Sequence, residues 1–94
     1  MTDHKPAIYV QCDRSGSGWR CRVTVGTDPE ATTHEVEVAD PDLARLAAEV
    51  KRLVEASFRF LLEREPREAV LRRFDLPLIG RYFPEYAAEI GRRL

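Results

Sequence analysis

The stretch that decides the fold is residues 58–86, FRFLLEREPREAVLRRFDLPLIGRYFPEY. It holds six of the chain's eight aromatic residues, mixed with arginines and divided by prolines. Aromatic side chains carry much of the burial energy that a small domain has, so this stretch must pack against the rest of the chain. Its polar residues form no arrangement with a recognisable chemistry. The stretch therefore indicates how the chain folds but does not name a function.

Breaks in this stretch predict several short helices. Pro66 disfavours helix at the preceding residue and starts a short segment over 66–73. Asp75 is a suitable N-cap for a second short helix, and Pro84 starts the last one. Isolated helices shorter than roughly 12–15 residues are marginal in water. We therefore expect two or three short C-terminal helices that are held in place by their aromatic residues.

A long helix is predicted before this stretch. Asp40 and Pro41 form a helix start, with an N-cap followed by proline at the first helical position. From Leu43 to Leu61, apolar residues recur along one helical stripe, and charged residues lie opposite. The pattern predicts one helix from 41 to about 64, with a break near Ala48 as the alternative.

The N-terminal half alternates between apolar and polar residues. Residues 7–12, 19–25 and 33–38 each follow a period of two, and the segment 13–18 between the first two has turn-forming residues. These patterns predict a three-stranded antiparallel meander with one solvent-exposed face. The fold class is therefore α+β, with the meander packed against the long helix and the short helices after it. Residues 1–94 are expected to form a single domain.

Charged residues on the solvent-exposed face predict the register of the second hairpin. Inward residues must pair with inward residues, because a slip by one residue turns every side chain over. One allowed register places Arg22 opposite Glu35 and Arg20 opposite Glu37. Cross-strand ion pairs contribute only a few tenths of a kcal/mol each, but they favour that register.

Cys12 and Cys21 are the only cysteines in the chain. A comparable register in the first hairpin brings them opposite each other on the core side, where a disulfide would fit. Paired cysteines in a cytosolic protein are usually reduced. We therefore interpret them as two packed thiols, with the disulfide as the alternative.

Composition excludes several classes of protein. The chain has 15 basic and 16 acidic residues and a net charge of −1, so it has no general electrostatic attraction to nucleic acid. No apolar run approaches the roughly 20 residues that cross a bilayer. The first residues lack the basic end and apolar run of a secretory signal. The sequence predicts a cytoplasmic protein with no membrane association.

No residues with the spacing of a metal or catalytic site occur. The soft metal ligands are His4, His34, Cys12 and Cys21, and their spacing matches no zinc motif. Ser57 lies in the apolar stripe of the helix, where a serine commonly lets helices approach closely or bonds back to the preceding turn. No nucleophile, base and orienting group can be assigned together. We predict that the chain is not an enzyme and has no cofactor or metal.

One nucleic-acid interpretation starts from the order strand–helix–helix over residues 33–63, as in ribbon-helix-helix repressors. Those proteins place outward strand side chains in the major groove. Here these side chains would be Thr33, Glu35 and Glu37. Two carboxylates facing phosphates are unfavourable, so this interpretation is weak.

A second nucleic-acid interpretation joins residues 66–73 and 76–83 into a helix-turn-helix. That unit would offer Arg72, Arg73 and Arg81 as nucleic-acid contacts. Acidic neighbours dilute their charge. Arginines clustered on one face would favour nucleic acid, whereas arginines paired with carboxylates would only stabilise the surface. A nucleic-acid-associated or regulatory role is therefore the alternative function, and we regard nucleic acid as an unfavourable partner.

The aromatic residues indicate another kind of partner. Phe74, Tyr82, Phe83 and Tyr86 form a large set for a small sheet and one helix to cover. We expect part of this set, with Tyr82 and Tyr86 as candidates, to be exposed as a contact surface. The leading prediction is a non-catalytic protein–protein interaction module, whose partner is an unknown protein or a second copy in a homodimer.

Parts of the first stretch resemble a set of small bacterial proteins of unassigned function. The similar runs are FLLEREP at 60–66, FDL at 74–76, Ile79, and YFPEY at 82–86. They cover the last third to half of the chain. The resemblance implies a small, cytosolic, bacterial α+β protein, and it implies no activity, cofactor or catalytic residue.

Overall fold

A computed structural model of the chain describes residues 7–27, 29–39 and 47–94. Its elements, in chain order, are β1 (Ile8–Ser15), β2 (Gly18–Val25), β3 (Thr32–Val38), α1 (Ala47–Leu62), a 3₁₀ turn (Arg67–Ala69), β4 (Arg73–Asp75), α2 (Leu78–Tyr82) and α3 (Tyr86–Arg93). The strands form one sheet in the order β1-β2-β3-β4. The α+β class is confirmed, but the sheet has a fourth strand that the sequence did not predict.

The antiparallel meander is confirmed, with longer strands in its first hairpin. The predicted loop over 13–18 is reduced to a two-residue turn, Gly16 and Ser17, and both strands extend into the rest of it. Gly16 has a φ of 63°, whereas no described residue other than glycine has a positive φ. A positive φ at the first central position is what a type II′ turn requires, and its twist matches that of the flanking strands.

The predicted register of the second hairpin is also confirmed. Arg22 lies opposite Glu35, and Arg20 lies opposite Glu37. The Nε of Arg20 is 2.8 Å from a carboxylate oxygen of Glu37. These side chains are solvent-exposed, so the pair adds little to stability and serves mainly to favour the register.

Cys12 and Cys21 form a disulfide, so their interpretation as packed thiols is wrong. They lie directly opposite each other in the first hairpin, with Cα atoms 4.0 Å apart. This short distance is typical of a non-hydrogen-bonded pair in an antiparallel ladder, whose side chains face each other closely. The register predicted their positions, whereas the assumption of a reducing compartment gave the wrong bonding state.

Helix α1 covers one face of the sheet. Its buried apolar side chains are Val50, Leu53, Val54, Phe58, Phe60 and Leu61. All except Phe60 belong to the predicted stripe, and they share one core with inward residues of the strands. The described helix runs past Ala48 without a break and ends at Leu62 rather than near residue 64. The predicted start at Asp40 and Pro41 lies outside the described residues.

The segment after α1 differs from the prediction. Only Arg67–Ala69 of the predicted helix over 66–73 is helical, and it forms a 3₁₀ turn. Residues Arg73–Asp75 form β4, which runs parallel to β3. Asp75 is therefore a strand residue and not an N-cap, and Pro77 precedes α2 instead. The free edge of β3 accounts for the difference, because long-range pairing outweighs weak local helix signals.

A hydrogen-bonded chain docks α3 on α1. The Ser57 hydroxyl donates to the carbonyl oxygen of Leu53 at 2.8 Å, which confirms the predicted back-bond. Because the Ser57 hydroxyl proton already bonds to Leu53, the Tyr86 hydroxyl donates to Ser57 Oγ, with the two oxygens 2.6 Å apart. The ring of Phe60, with its centroid 5.3 Å from that of Tyr86 and 5.9 Å from that of Phe83, fills the same contact. Phe60 is therefore buried on the side of α1 that faces α3.

Gly18, the first residue of β2, lies against the backbone at the end of β3 and leaves no room for a side chain. A Cβ atom at Gly18 would overlap the backbone carbonyl of Val38, which can move only with its strand. We expect Gly18→Ala to lower the free energy of unfolding by about 1–3 kcal/mol, as overpacking does in protein cores. Urea denaturation followed by the fluorescence of Trp19, the one tryptophan, measures this change.

Gly91→Ala is the matched control. A Cβ at Gly91 meets no atom within 4 Å, and Gly91 lies in α3. Alanine in a helix is favoured over glycine by up to about 1 kcal/mol, so this variant should be as stable as the wild type or more stable. Equal stabilities of the two variants would contradict the close approach at Gly18.

Candidate interaction site

An apolar groove with a volume of about 220 Å³ lies beside the C-terminal end of α1. Its lining comes from the end of α1 and the turn after it, the segment that leads into β4, and α2. The lining residues are Leu61, Glu65, Ala69, Val70, Leu71, Phe74, Leu78, Ile79, Tyr82 and Phe83. We call this feature the β4–α2 groove.

The floor and rim of the β4–α2 groove differ in exposure. The floor consists of buried side chains, namely Leu61, Val70, Phe74 and Ile79. At the rim, Leu71 is 48% exposed and Tyr82 is 66% exposed. Two of the four large apolar residues that are exposed in the described part of the chain therefore lie at this one groove.

Buried His34 of β3 fixes the segment that forms one wall. Its Nδ1 lies 2.8 Å from the carbonyl oxygen of Leu71, and its Nε2 lies 2.9 Å from the Thr32 hydroxyl. A carbonyl only accepts, so Nδ1 carries the proton and the Thr32 hydroxyl donates to Nε2. The imidazole also packs against the ring of Phe58, with centroids 5.3 Å apart. Neutral His34 thus joins the sheet, α1 and the groove wall.

Two backbone hydrogen bonds continue this attachment along β4. The amide of Glu35 donates to the carbonyl of Arg72 at 2.7 Å, and the amide of Leu76 donates to the carbonyl of Glu37 at 2.9 Å. Phe74, between them, turns its side chain into the core, where its ring lies 6.0 Å from that of Phe58. The groove wall is therefore part of the sheet and not a loose loop.

The environment of His34 keeps it neutral. Burial lowers the pKa of His34 below its ordinary value of 6.5, and the positive charge of Arg72 adds to this effect. The hydrogen bond to the Leu71 carbonyl raises the pKa; its effect is smaller than that of burial and larger than that of Arg72. Both ring nitrogens are occupied, so His34 offers no lone pair to a metal. Within the described ranges, no group of three or more His, Cys, Asp or Glu side chains could hold a metal ion.

The structure separates the four aromatic candidates. Tyr82 is exposed at the groove rim, and Phe83 is half-buried in its lining. Phe74 is buried in the floor. Tyr86 is only 9% exposed, so the expectation that it would be exposed is wrong, because its hydroxyl and ring dock α3 on α1. Their role in an interaction stays a prediction.

Leu71 is the groove residue that sequence reasoning missed. It follows Val70, and in extended backbone two successive side chains point to opposite faces. Val70 is buried, and Leu71 is therefore left at the surface. Two adjacent apolar residues just before Arg72 and Arg73 were the available signal, but the prediction of a helix over 66–73 hid it.

Most of the C-terminal arginines are paired with carboxylates. Among these pairs are Arg73 with Glu35 at 3.0 Å, Arg92 with Glu89 at 3.2 Å, and Arg93 with Glu63 at 2.6 Å. Arg72 and Arg81 are exposed, and neither forms an ion pair with another described residue. The surface of the C-terminal half is therefore of mixed charge, which does not favour nucleic acid.

Neither predicted nucleic-acid motif forms. Strand β3 lies between β2 and β4, so both of its edges are paired and it cannot be the free ribbon of a ribbon-helix-helix dimer. Residues 66–73 and 76–83 contain a 3₁₀ turn, part of β4 and the five-residue helix α2. They are not a helix-turn-helix, and Arg72, Arg73 and Arg81 lie on no recognition helix of that kind.

No protein-family model, no curated protein and no solved structure matches this chain. The resemblance to small bacterial proteins therefore stays a prediction. In the described part of the chain, no helix is both long enough and apolar enough to cross a membrane.

The lowered pKa of His34 predicts how stability depends on pH. Well above pH 6.5, for example at about pH 8, His34 is neutral in both the folded and the unfolded chain, and its contribution is complete. As the pH falls below that value, the unfolded chain binds a proton that the folded chain does not bind. The free energy of unfolding should therefore decrease until the pH reaches the lower pKa of the folded state, and this loss should then stop.

His34→Asn is the control for this dependence, because asparagine retains an amide donor near the position of Nδ1 but does not titrate. The difference in unfolding free energy between wild type and variant, measured in urea from pH 8 to pH 5, should shrink as the pH falls. The contribution of His4 is common to both proteins and cancels. A difference that grows at acid pH would show that the pKa of His34 is raised instead.

Proposed function

We propose that the chain is a non-catalytic protein–protein interaction module that binds an apolar segment of a partner in the β4–α2 groove. The observation that carries this proposal is the exposure of Leu71 and Tyr82 at the rim of an apolar groove. Large apolar and aromatic side chains around a pocket are the usual anchors of protein interfaces. Exposed apolar residues in such a cluster also mark contact surfaces.

The size of the groove favours a side chain over a small-molecule ligand. Sites for cofactors and drug-sized ligands have volumes of about 300–1,000 Å³. The β4–α2 groove, with about 220 Å³, is smaller and fits one or two large side chains. A protein segment can fill it with an anchor residue and continue across the rim.

The groups in the lining support a role without catalysis. Glu65 is the one carboxylate among the lining residues, and no serine, cysteine or histidine accompanies it there. The other polar side chain of the lining, Tyr82, is exposed at the rim and forms no hydrogen bond with Glu65. General acid–base chemistry needs a second positioned group. The lining therefore supports binding better than turnover.

Location in the cytoplasm of a bacterium stays a prediction. The Cys12–Cys21 disulfide bears on it, because disulfides persist mainly in oxidising compartments. Binding in the groove does not depend on the compartment, since the disulfide lies in the β1–β2 hairpin and contributes no residue to the groove lining.

Filling the groove tests the proposal. Ala69 is an exposed residue of the lining, so Ala69→Trp should place an indole in the groove without disturbing the core. Proteins retained from an extract of the native cells by immobilised wild type, Ala69→Trp and Ala88→Trp are compared by quantitative mass spectrometry. A groove-dependent partner should be retained about tenfold less by Ala69→Trp than by the other two, because an anchor residue loses its pocket.

Ala88→Trp is the matched control, since Ala88 is an exposed residue of α3 that does not line the groove. Circular dichroism confirms that all three proteins are folded. If the three proteins retain the same set of partners in the same amounts, the groove is not an interaction site and the proposal is wrong.

A further inference from the structure

We infer that the occupant of the β4–α2 groove is a second copy of this chain, in a two-fold dimer. In this dimer Tyr82 of each copy enters the groove of the other, and Arg81 of each copy faces Glu65 of the other. The inference rests on the proposed function, because it names the partner of the same groove.

A two-fold dimer places the same surface of both copies in contact. A surface that carries a protruding group and a receptor for it side by side is complementary to itself in this arrangement. Tyr82 is the protruding group, since it is 66% exposed at the end of α2. The receptor is the adjacent groove, whose volume of about 220 Å³ accommodates a large side chain such as a tyrosine.

Charges on the same surface are complementary. Glu65 lies in the groove lining, and Arg81 directly precedes Tyr82. Neither forms an ion pair with another described residue, although nearby Glu63 and Glu85 are both paired with arginines. A two-fold axis beside the groove would bring each Arg81 to the Glu65 of the other copy. One dimer would then contain two such pairs.

The hydroxyl of Tyr82 also needs a partner when it is buried. Buried tyrosine hydroxyls usually form a hydrogen bond. A carboxylate accepts several hydrogen bonds at once, so Glu65 can accept from both Tyr82 and Arg81 of the other copy. The Glu65 carboxylate is thus the acceptor for two adjacent donors, Arg81 and Tyr82, of the other copy.

Sedimentation equilibrium of purified variants tests the dimer. We expect wild type to dimerise and Tyr82→Ala to raise the dissociation constant about tenfold or more, because two anchors are lost per dimer. Arg81→Glu and Glu65→Arg should each raise it several-fold, since each creates two like-charged pairs. Lys51→Glu is the control, because Lys51 is an exposed residue of α1 outside the groove lining, and it should leave the dissociation constant unchanged.

A mixture of the Arg81→Glu and Glu65→Arg variants provides the decisive measurement. A heterodimer of Arg81→Glu with Glu65→Arg contains two opposite-charged pairs, whereas each homodimer contains two repulsive ones. The mixture should therefore form heterodimers with a dissociation constant within about threefold of the wild type, as expected for restored surface pairs. Pairing within one chain could not produce this recovery, because each copy carries only one of the changes.

Several results would overturn the inference. These are a wild type that stays monomeric at millimolar concentration, a dimer that Tyr82→Ala leaves intact, or a mixture that associates no better than the separate variants. The proposed function would survive any of them if Ala69→Trp still loses a different protein partner. A dimer that forms equally well with Ala69→Trp would contradict the use of the groove by a second copy.

Discussion

The hydrogen bond from His34 to the Leu71 carbonyl is the interaction on which the rest of the structure depends. It joins the middle of β3 to a residue 37 positions later in the chain. The imidazole is buried between Thr32 and the ring of Phe58, whereas the Leu71 end of the bond is partly exposed. A buried polar group that loses its partner costs about 1–3 kcal/mol, which makes this attachment strongly preferred over its absence.

The hydrogen bond from His34 to Leu71 favours strand structure in the following residues, Arg73–Asp75, whose local preference for a strand is weak. Once Leu71 is fixed, Arg72 and Leu76 can complete the backbone ladder to β3, and Phe74 can enter the core. Helix α2 then follows at the edge of the sheet, and α3 returns to α1 through Tyr86. The β4–α2 groove is the space between the end of α1, the segment that leads into β4, and α2. Its binding surface is therefore a consequence of how the sheet is completed.

Local patterns explain which parts of this arrangement the sequence predicts. Alternation and charge placed the three long strands and set Arg20 opposite Glu37, because these features repeat along the segment itself. Strand β4 has only three residues, and both Asp75 within it and Pro66 before it carry helix signals. Its pairing depends on a free strand edge and on His34, which are distant in sequence. The groove was unpredictable for the same reason, although Tyr82 at its rim was among the candidates.

The state of the His34 ring tests this account most directly. Long-range ¹H–¹⁵N spectra, with His34→Asn used to assign the signals, report which ring nitrogen carries the proton as the pH is lowered from 7 to 5. We expect a ring that is neutral at pH 7 with its proton on Nδ1, and that takes up a second proton only below the ordinary pKa of 6.5. A proton on Nε2, or titration with an unshifted pKa of about 6.5, would contradict it.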